Sequence, residues 1–221
     1  MARGRLIVLE GAEGAGKTTQ IRILAERLAT ADIPSVAVRE PGGTPVGDDI
    51  RGILLHPEQE ITAASEALLF MASRAELVAR EIRPSLAAGF TVLLDRFFLS
   101  TYAYQIVGRG LPEAEVRAAN ALATAGLVPD LTLLLDISAT HGLERADARG
   151  ARDRMEKASD DFHARVANAF REFTDPGWQA SHPECGPIKL IDGTGDQAAV
   201  HKRIVSTLAS AFPQPFGAIK S

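Results

Sequence analysis

Several residue types are scarce in this sequence, and each scarcity excludes something. A single cysteine, Cys185, stands in 221 residues. No internal disulfide can form, so the fold must rest on its core, and the composition suits a reducing, cytoplasmic setting. Cys185 has no evident catalytic partner and reads as an inert thiol. The five histidines are scattered without ligand spacing, so no zinc site is expected. No apolar run approaches the roughly 18 residues of a membrane helix. The first run ends at Leu9, before Glu10, which is too short for a signal-peptide core. Nor is there a surplus of bases: 24 Lys+Arg face 28 Asp+Glu, a net charge of −4. A generic nucleic-acid binder is excluded, and any anionic partner must be met by a local cluster of cations.

What remains is an ordinary globular balance, 46% hydrophobic and 24% charged, with no linker rich in Ser, Gly or Pro and no internal repeat. The pattern alternates short apolar runs with helical periodicity. Leu6–Leu9 suits a strand buried on both faces of a parallel sheet. Ile21, Leu24, Ala25 and Leu28 then mark one face of a helix over 17–30. Further strands are expected at 35–38, 90–94, 131–135 and 188–191. Helices are expected at 50–55, 63–82, 100–106, 113–124, 140–149, 161–173 and 197–212, with the 63–82 helix ending before Pro84. The expected fold is α/β: one domain over 1–221, five parallel strands flanked by helices in three layers. The tail from Pro213, with Pro215 and Gly217, is expected to fray.

Residues 11–18, Gly11-Ala12-Glu13-Gly14-Ala15-Gly16-Lys17-Thr18, fit G-x-x-x-x-G-K-[ST] without mismatch. Glycines let backbone N–H groups turn inward around a polyphosphate; Lys17 reaches the β/γ-phosphates and Thr18 is a Mg²⁺ ligand, with Thr19 next along the helix. The loop follows an apolar strand and opens an amphipathic helix, as the chemistry requires. This predicts a P-loop NTPase fold using ATP and Mg²⁺. Only two asparagines occur, Asn120 and Asn168, neither in an N-K-x-D guanine-reading motif. A transporter-type LSGGQ signature is also missing. Arginines outside the loop favour instead a phosphotransferase that clamps two phosphorylated substrates.

A second constellation ends the third strand: Asp95 can hold Mg²⁺ and Arg96 can neutralise a transferring phosphate, since strand C-terminal ends face the ligand crevice. Downstream, Thr101, Tyr104 and Gln105 share a helix face and offer a wall for a nucleoside; Tyr104 fits equally well as a core aromatic. Arg39 to Thr44 place a guanidinium on a tight turn after the second strand. Phe70 and Arg74, at i, i+4, pair a stacking ring with a fork that can reach base or phosphate, although Phe70 also fits core packing. Arg145, Arg149, Arg152 and Arg154 lie among acids. They form either a solvated ion-paired face or a small lid, at about 141–160, that supplies charge to a transition state.

Together these motifs resemble the thymidylate kinase family over nearly the whole chain, above all Asp95-Arg96-Phe97-x-x-Ser100-Thr101-x-Ala103-Tyr104-Gln105. The resemblance implies ATP-dependent phosphorylation of dTMP to dTDP. It implies Phe70 stacked on thymine, Arg74 bonded to the base, and Arg39 and Arg96 on the acceptor phosphate. Tyr104 would exclude a 2′-hydroxyl, Ser100, Thr101 and Gln105 would line the nucleoside, Glu13 would meet the 3′-hydroxyl, and Pro41 would sit near the thymine methyl. With Ala15 and no arginine in the P-loop, the lid charge would come from Arg149, Arg152 and Arg154, as in the bacterial type, with Arg152 and Arg154 as the catalytic candidates and the choice among them open. Family members are typically homodimers, and 63–82 is a candidate interface. Rival readings are a deoxynucleoside kinase, with Glu13 or Glu40 as base, and a P-loop regulatory switch.

Overall fold

The computed structural model describes residues 3–138, 142 and 153–219. Among these, five strands form one all-parallel sheet: β1 (Leu6–Glu10), β2 (Ser35–Arg39), β3 (Thr91–Asp95), β4 (Leu131–Asp136) and β5 (Ile188–Asp192), in the order β2-β3-β1-β4-β5. The register sets Leu9 opposite Asp95 and Leu133, and Arg39 opposite Asp95. The chemistry-bearing ends of β1, β2 and β3 therefore share one edge of the sheet.

Strand periodicity divides the core. Leu6, Val8, Val92, Leu94 and Leu134 face one apolar layer, while Ile7, Leu9, Leu93, Leu133 and Leu135 face the other. Successive side chains on a strand point to opposite faces, so a continuous apolar run is what a sheet covered on both sides demands. The first layer is closed by α3 (Ala63–Leu77), α5 (Phe98–Thr101) and α7 (Asp160–Glu172). The second is closed by α1 (Lys17–Thr30) and α9 (Gln197–Ala211). The expected three-layer P-loop architecture is thus present. No described helix is long and apolar enough to cross a membrane.

Three expectations need correction. The helix expected at 50–55 begins earlier, as α2 (Pro45–Leu55), because Thr44 Oγ1 accepts from Gly47 N at 3.0 Å and Pro45 occupies the first turn. The 63–82 helix does not stop before Pro84. A π-helical turn (Val78–Ile82) follows α3, and α4 (Arg83–Ala87) restarts with Pro84 in its first turn, where a missing N–H leaves no ladder bond unmade. The tail expected to fray is packed: Phe216 is fully buried and Ile219 is buried in the α1/α9 layer, beneath the turn Pro213–Phe216. Its prolines stop the helix, but its two apolar side chains still find a core. The remaining described segments are a π-helical stretch Tyr102–Gly108, α6 (Glu113–Thr124), α8 (Pro176–Ser181) and a 3₁₀ turn Pro183–Cys185. The helix expected at 140–149 lies outside the described residues.

Candidate active site

The sheet edge opens into a cavity of about 720 Å³. Its centre is the loop between β1 and α1. Gly11 adopts φ +138°, and a Cβ there would sit 2.5 Å from the Leu135 carbonyl oxygen, so only glycine lets the loop pass β4. Gly16 takes the left-handed conformation that starts α1 at Lys17. Lys17 Nζ donates to Gly11 O at 2.9 Å and to Ala12 O at 2.8 Å, curling the loop around its own cation. Burial, with the Arg96 guanidinium beside it, pulls the Lys17 pKa down to about 8. Thr18 Oγ1 donates to Asp95 Oδ2 at 2.5 Å. Gly14, Ala15, Gly16 and Thr19 also line the cavity.

Arg96 follows β3 with φ +70°. Its guanidinium reaches back to Gly11 O at 3.3 Å and Ser100 Oγ at 3.0 Å, and it pairs with Glu13. Tyr104 Oη donates to the same Glu13 carboxylate at 2.7 Å. Burial alone would raise the Glu13 pKa, but the Arg96 and Lys17 cations hold the carboxyl below its ordinary range. Glu10 sets this geometry from below. Fully buried at the end of β1, it accepts from Phe97 N at 2.7 Å, Ser100 N at 3.1 Å and Ser100 Oγ at 2.6 Å. In sequence Glu10 marks only the end of an apolar run. An acid terminating such a run, with no water to reach, was the available signal.

At the β2 end stand Arg39, Glu40, Pro41, Arg51 and Phe70. Arg39 is exposed and has no bonded partner among the described residues. Phe70 is half-buried, with its helix turned to the cavity. Arg51 was not foreseen. It projects from α2, donates to Pro41 O at 2.9 Å, and has its pKa lowered by burial and then by the neighbouring Arg39. Two like charges held together beside a third, Arg96, make a receptor for an anion. A lone arginine on an amphipathic helix gives no such indication in sequence.

Two expected contacts are not what the structure contains. Arg74 is only 2% exposed, and every N–H of its guanidinium has a protein acceptor: the Glu40 carboxylate, Thr101 Oγ1, Asn120 Oδ1 and Phe97 O. It braces the cavity wall and has no donor left for a base. Arg154, expected in the lid, pairs with buried Glu66 at 2.7 Å and donates to Leu54 O at 2.7 Å, away from the cavity. Glu66 also accepts from Gln105 and Arg109, bonds that hold its carboxyl below the ordinary range against the opposing effect of burial. An acid in an apolar helix attracts every nearby guanidinium, which explains the capture of Arg154. Arg145, Arg149 and Arg152 lie outside the described residues. Ser100, Thr101, Tyr104 and Gln105 line the cavity as expected. Cys185 is buried, and burial pushes its thiol pKa up, consistent with an unreactive group.

Across the P-loop, the β5 end is formed by Gly193, Gly195, Asp196, Gln197 and Val200, with Gln20 from α1. The crevice thus has a cationic end, a phosphate loop and a second end at which these residues include no lysine or arginine.

A family model described as thymidylate kinase matches residues 9–183. A thymidylate kinase of Deinococcus radiodurans is 49% identical over 88% of this chain and 91% of that protein. A thymidylate kinase of Chlorobium limicola is 41% identical over 98% of this chain and 99% of that protein. One from Carboxydothermus hydrogenoformans is 45% identical over 76% and 83%.

Proposed function

The chain belongs to the thymidylate kinase family, and from that premise we propose how its own residues carry the ATP-dependent phosphorylation of dTMP to dTDP. The single observation that carries the residue assignment is the grouping of Arg39, Arg51 and Arg96 at one end of a cavity whose middle is a P-loop. Three guanidiniums around one space fit an acceptor that already bears a phosphate.

The dTMP phosphate lies among Arg39, Arg51 and Arg96, and its base lies against the Phe70 ring beside Pro41. The deoxyribose faces Tyr104 and Glu13. ATP places its phosphates on the loop N–H groups and Lys17. A dTMP phosphate oxygen attacks the γ-phosphorus in line. The bond to the β,γ-bridging oxygen breaks, and its electron pair leaves on ADP. No side-chain base is needed, since the nucleophile is already an anion. Catalysis is positioning and charge neutralisation by Lys17 and Arg96. Thr18 and Asp95, an all-oxygen pair 2.5 Å apart beside the loop, fit a hard cation and would hold Mg²⁺, which neutralises phosphate charge. Arg152 remains the proposed lid cation. Arg74 and Arg154 are supports: the first fixes Glu40 and Thr101, the second fixes Glu66.

A deoxynucleoside kinase would need a carboxylate free to take a proton from a 5′-hydroxyl. Glu13 and Glu40 are each engaged by an arginine. The test is direct: ATP and Mg²⁺ are supplied with dTMP, thymidine or other monophosphates, and products are separated. Stoichiometric dTDP and ADP from dTMP alone are expected; turnover of thymidine without turnover of dTMP refutes the assignment.

We also propose that the chain is a cytoplasmic homodimer. Support comes from the single buried cysteine and from Leu68 and Leu122, which are 62% and 85% exposed on the packed helices α3 and α6. Sedimentation velocity on Leu68→Asp and Leu122→Asp tests the dimer; a species unchanged from a wild-type monomer rejects it.

A further inference from the structure

One buried acid lies behind the cavity wall and bonds to the segment that carries Arg96. Glu10 is fully buried and is not among the residues that line the crevice. A buried polar group needs hydrogen-bond partners, and those of Glu10 come from residues 97–100. Oε1 accepts from Phe97 N at 2.7 Å and from Ser100 N at 3.1 Å; Oε2 accepts from Ser100 Oγ at 2.6 Å. Phe97 is the N-cap of α5 and Ser100 its third residue, and Phe97 has no side-chain oxygen to cap with. These two N–H groups are the pair that a capping box satisfies from within one helix. Here a single carboxyl on another strand satisfies both.

Two consequences reach Arg96. The first concerns its backbone. At φ +70° Arg96 is left-handed, a state that a residue with a side chain keeps only where its surroundings impose it. Arg96 N donates to Leu9 O at 3.1 Å, and the next N–H, that of Phe97, donates to Glu10. Consecutive residues of β1 thus grip the chain on both sides of the left-handed residue. The second concerns its side chain. A hydroxyl has one hydrogen to give. Ser100 gives it to Glu10 Oε2, so its oxygen is turned to accept, and it accepts from Arg96 Nη1 at 3.0 Å.

We propose that Glu10 is a positioning residue for the phosphoryl transfer: by gripping Phe97 N and orienting the Ser100 hydroxyl, it holds the Arg96 guanidinium where the acceptor phosphate binds. The assignment rests on the phosphotransfer reading above, in which Arg96 meets the dTMP phosphate. Glu10→Gln exposes the arrangement because it keeps the shape and replaces one of two acceptors by a donor. With its oxygen toward the two N–H groups, the amide nitrogen donates to Ser100 Oγ and the hydroxyl hydrogen loses its acceptor. With the amide reversed, N–H groups face N–H groups. Each orientation loosens the hold on Arg96.

The test is a double-mutant cycle on dTMP affinity, measured by calorimetry for wild type, Glu10→Gln, Arg96→Met and the pair, with thymidine as the ligand that has no phosphate. Glu10→Gln is expected to weaken dTMP binding about tenfold, the effect of one hydrogen bond to a charged group, and to leave thymidine binding within about twofold. In the Arg96→Met background its effect on dTMP is expected to fall below about twofold, because no guanidinium remains to be placed. If Glu10 only caps α5, dTMP and thymidine weaken together, or the full loss persists without Arg96; either result overturns the proposal. An unchanged dTMP Kd in Glu10→Gln overturns it as well. Should Glu10→Gln not fold, Ser100→Ala decides by the same cycle, since it removes the relaying hydroxyl and leaves both backbone bonds to Glu10 in place. Failure of the phosphotransfer reading is separate: wild type would then form no dTDP from ATP and dTMP.

Discussion

Replacement of Arg51 by Met should separate binding from stability with opposite demands on the fold. In the crevice Arg51 lies beside Arg39, and burial, then the repulsion between the two, disfavours its charge. Among the described residues its guanidinium donates to Pro41 O at 2.9 Å. Removing the charge relieves the repulsion and loses that bond, and the side chain is only partly buried. Unfolding free energy should therefore move by no more than about 0.5 kcal/mol. Binding of dTMP should suffer far more. A hydrogen bond between ions contributes about 1.5–3 kcal/mol, equivalent to about 10- to 150-fold in Kd. Thymidine, which carries no phosphate, provides the internal control: its affinity should be indifferent to the substitution. Titration calorimetry with dTMP and thymidine on both proteins supplies the four affinities, and urea melts supply the two stabilities. A dTMP Kd within threefold of wild type would refute the phosphate assignment. An equal loss for thymidine would show that Arg51 shapes the base site instead.

Other outcomes follow from single features of the structure. Phe216→Ala should cost about 3–5 kcal/mol by emptying a fully buried ring site, lowering Tm by about 6–20 °C for a chain of this size; a melt within 2 °C of wild type would mean the tail is not part of the core. Gly11→Ala forces a methyl to 2.5 Å from Leu135 O at a positive φ, so ATP binding should be lost or the protein destabilised by about 1–3 kcal/mol, read by nucleotide titration and melting. The depressed Lys17 pKa, about 8 against an ordinary 10.5, means the unfolded chain holds more protons between those values. This group's contribution to stability therefore rises with pH across that window. ATP phosphates restore the cation, so binding at pH 8–9 should take up protons, seen as buffer-dependent enthalpy in calorimetry and absent in Lys17→Arg.

Much of the fold is local in origin and was readable as such. Leu6–Leu9 is apolar at every position because both faces of β1 are covered, and the glycines after it leave few conformations besides a phosphate loop. The caps Thr62, Ser159 and Asp196 start helices by a bond spanning three residues, close to where the sequence pattern sets those starts, whereas the Thr44 cap adds a first turn to α2 that the apolar pattern alone leaves out. The tail was misread for the same reason in reverse. Pro213 and Pro215 are visible locally, while the pocket that receives Phe216 is assembled from α1, α9 and the sheet.

The site divides along the same line. Lys17, Thr18, Asp95 and Arg96 sit at fixed offsets from strand ends, so the sequence alone determined that they face one crevice in a parallel sheet. Which arginines remain free to meet a phosphate was decided only by tertiary contacts. Arg74 and Arg154 carry the same charge as Arg39 and Arg51, yet the first pair is consumed by Glu40 and Glu66, acids 34 and 88 residues away in the chain. A guanidinium's role depends on which carboxylate reaches it first, and that competition is settled by packing between distant elements, beyond the reach of any local pattern.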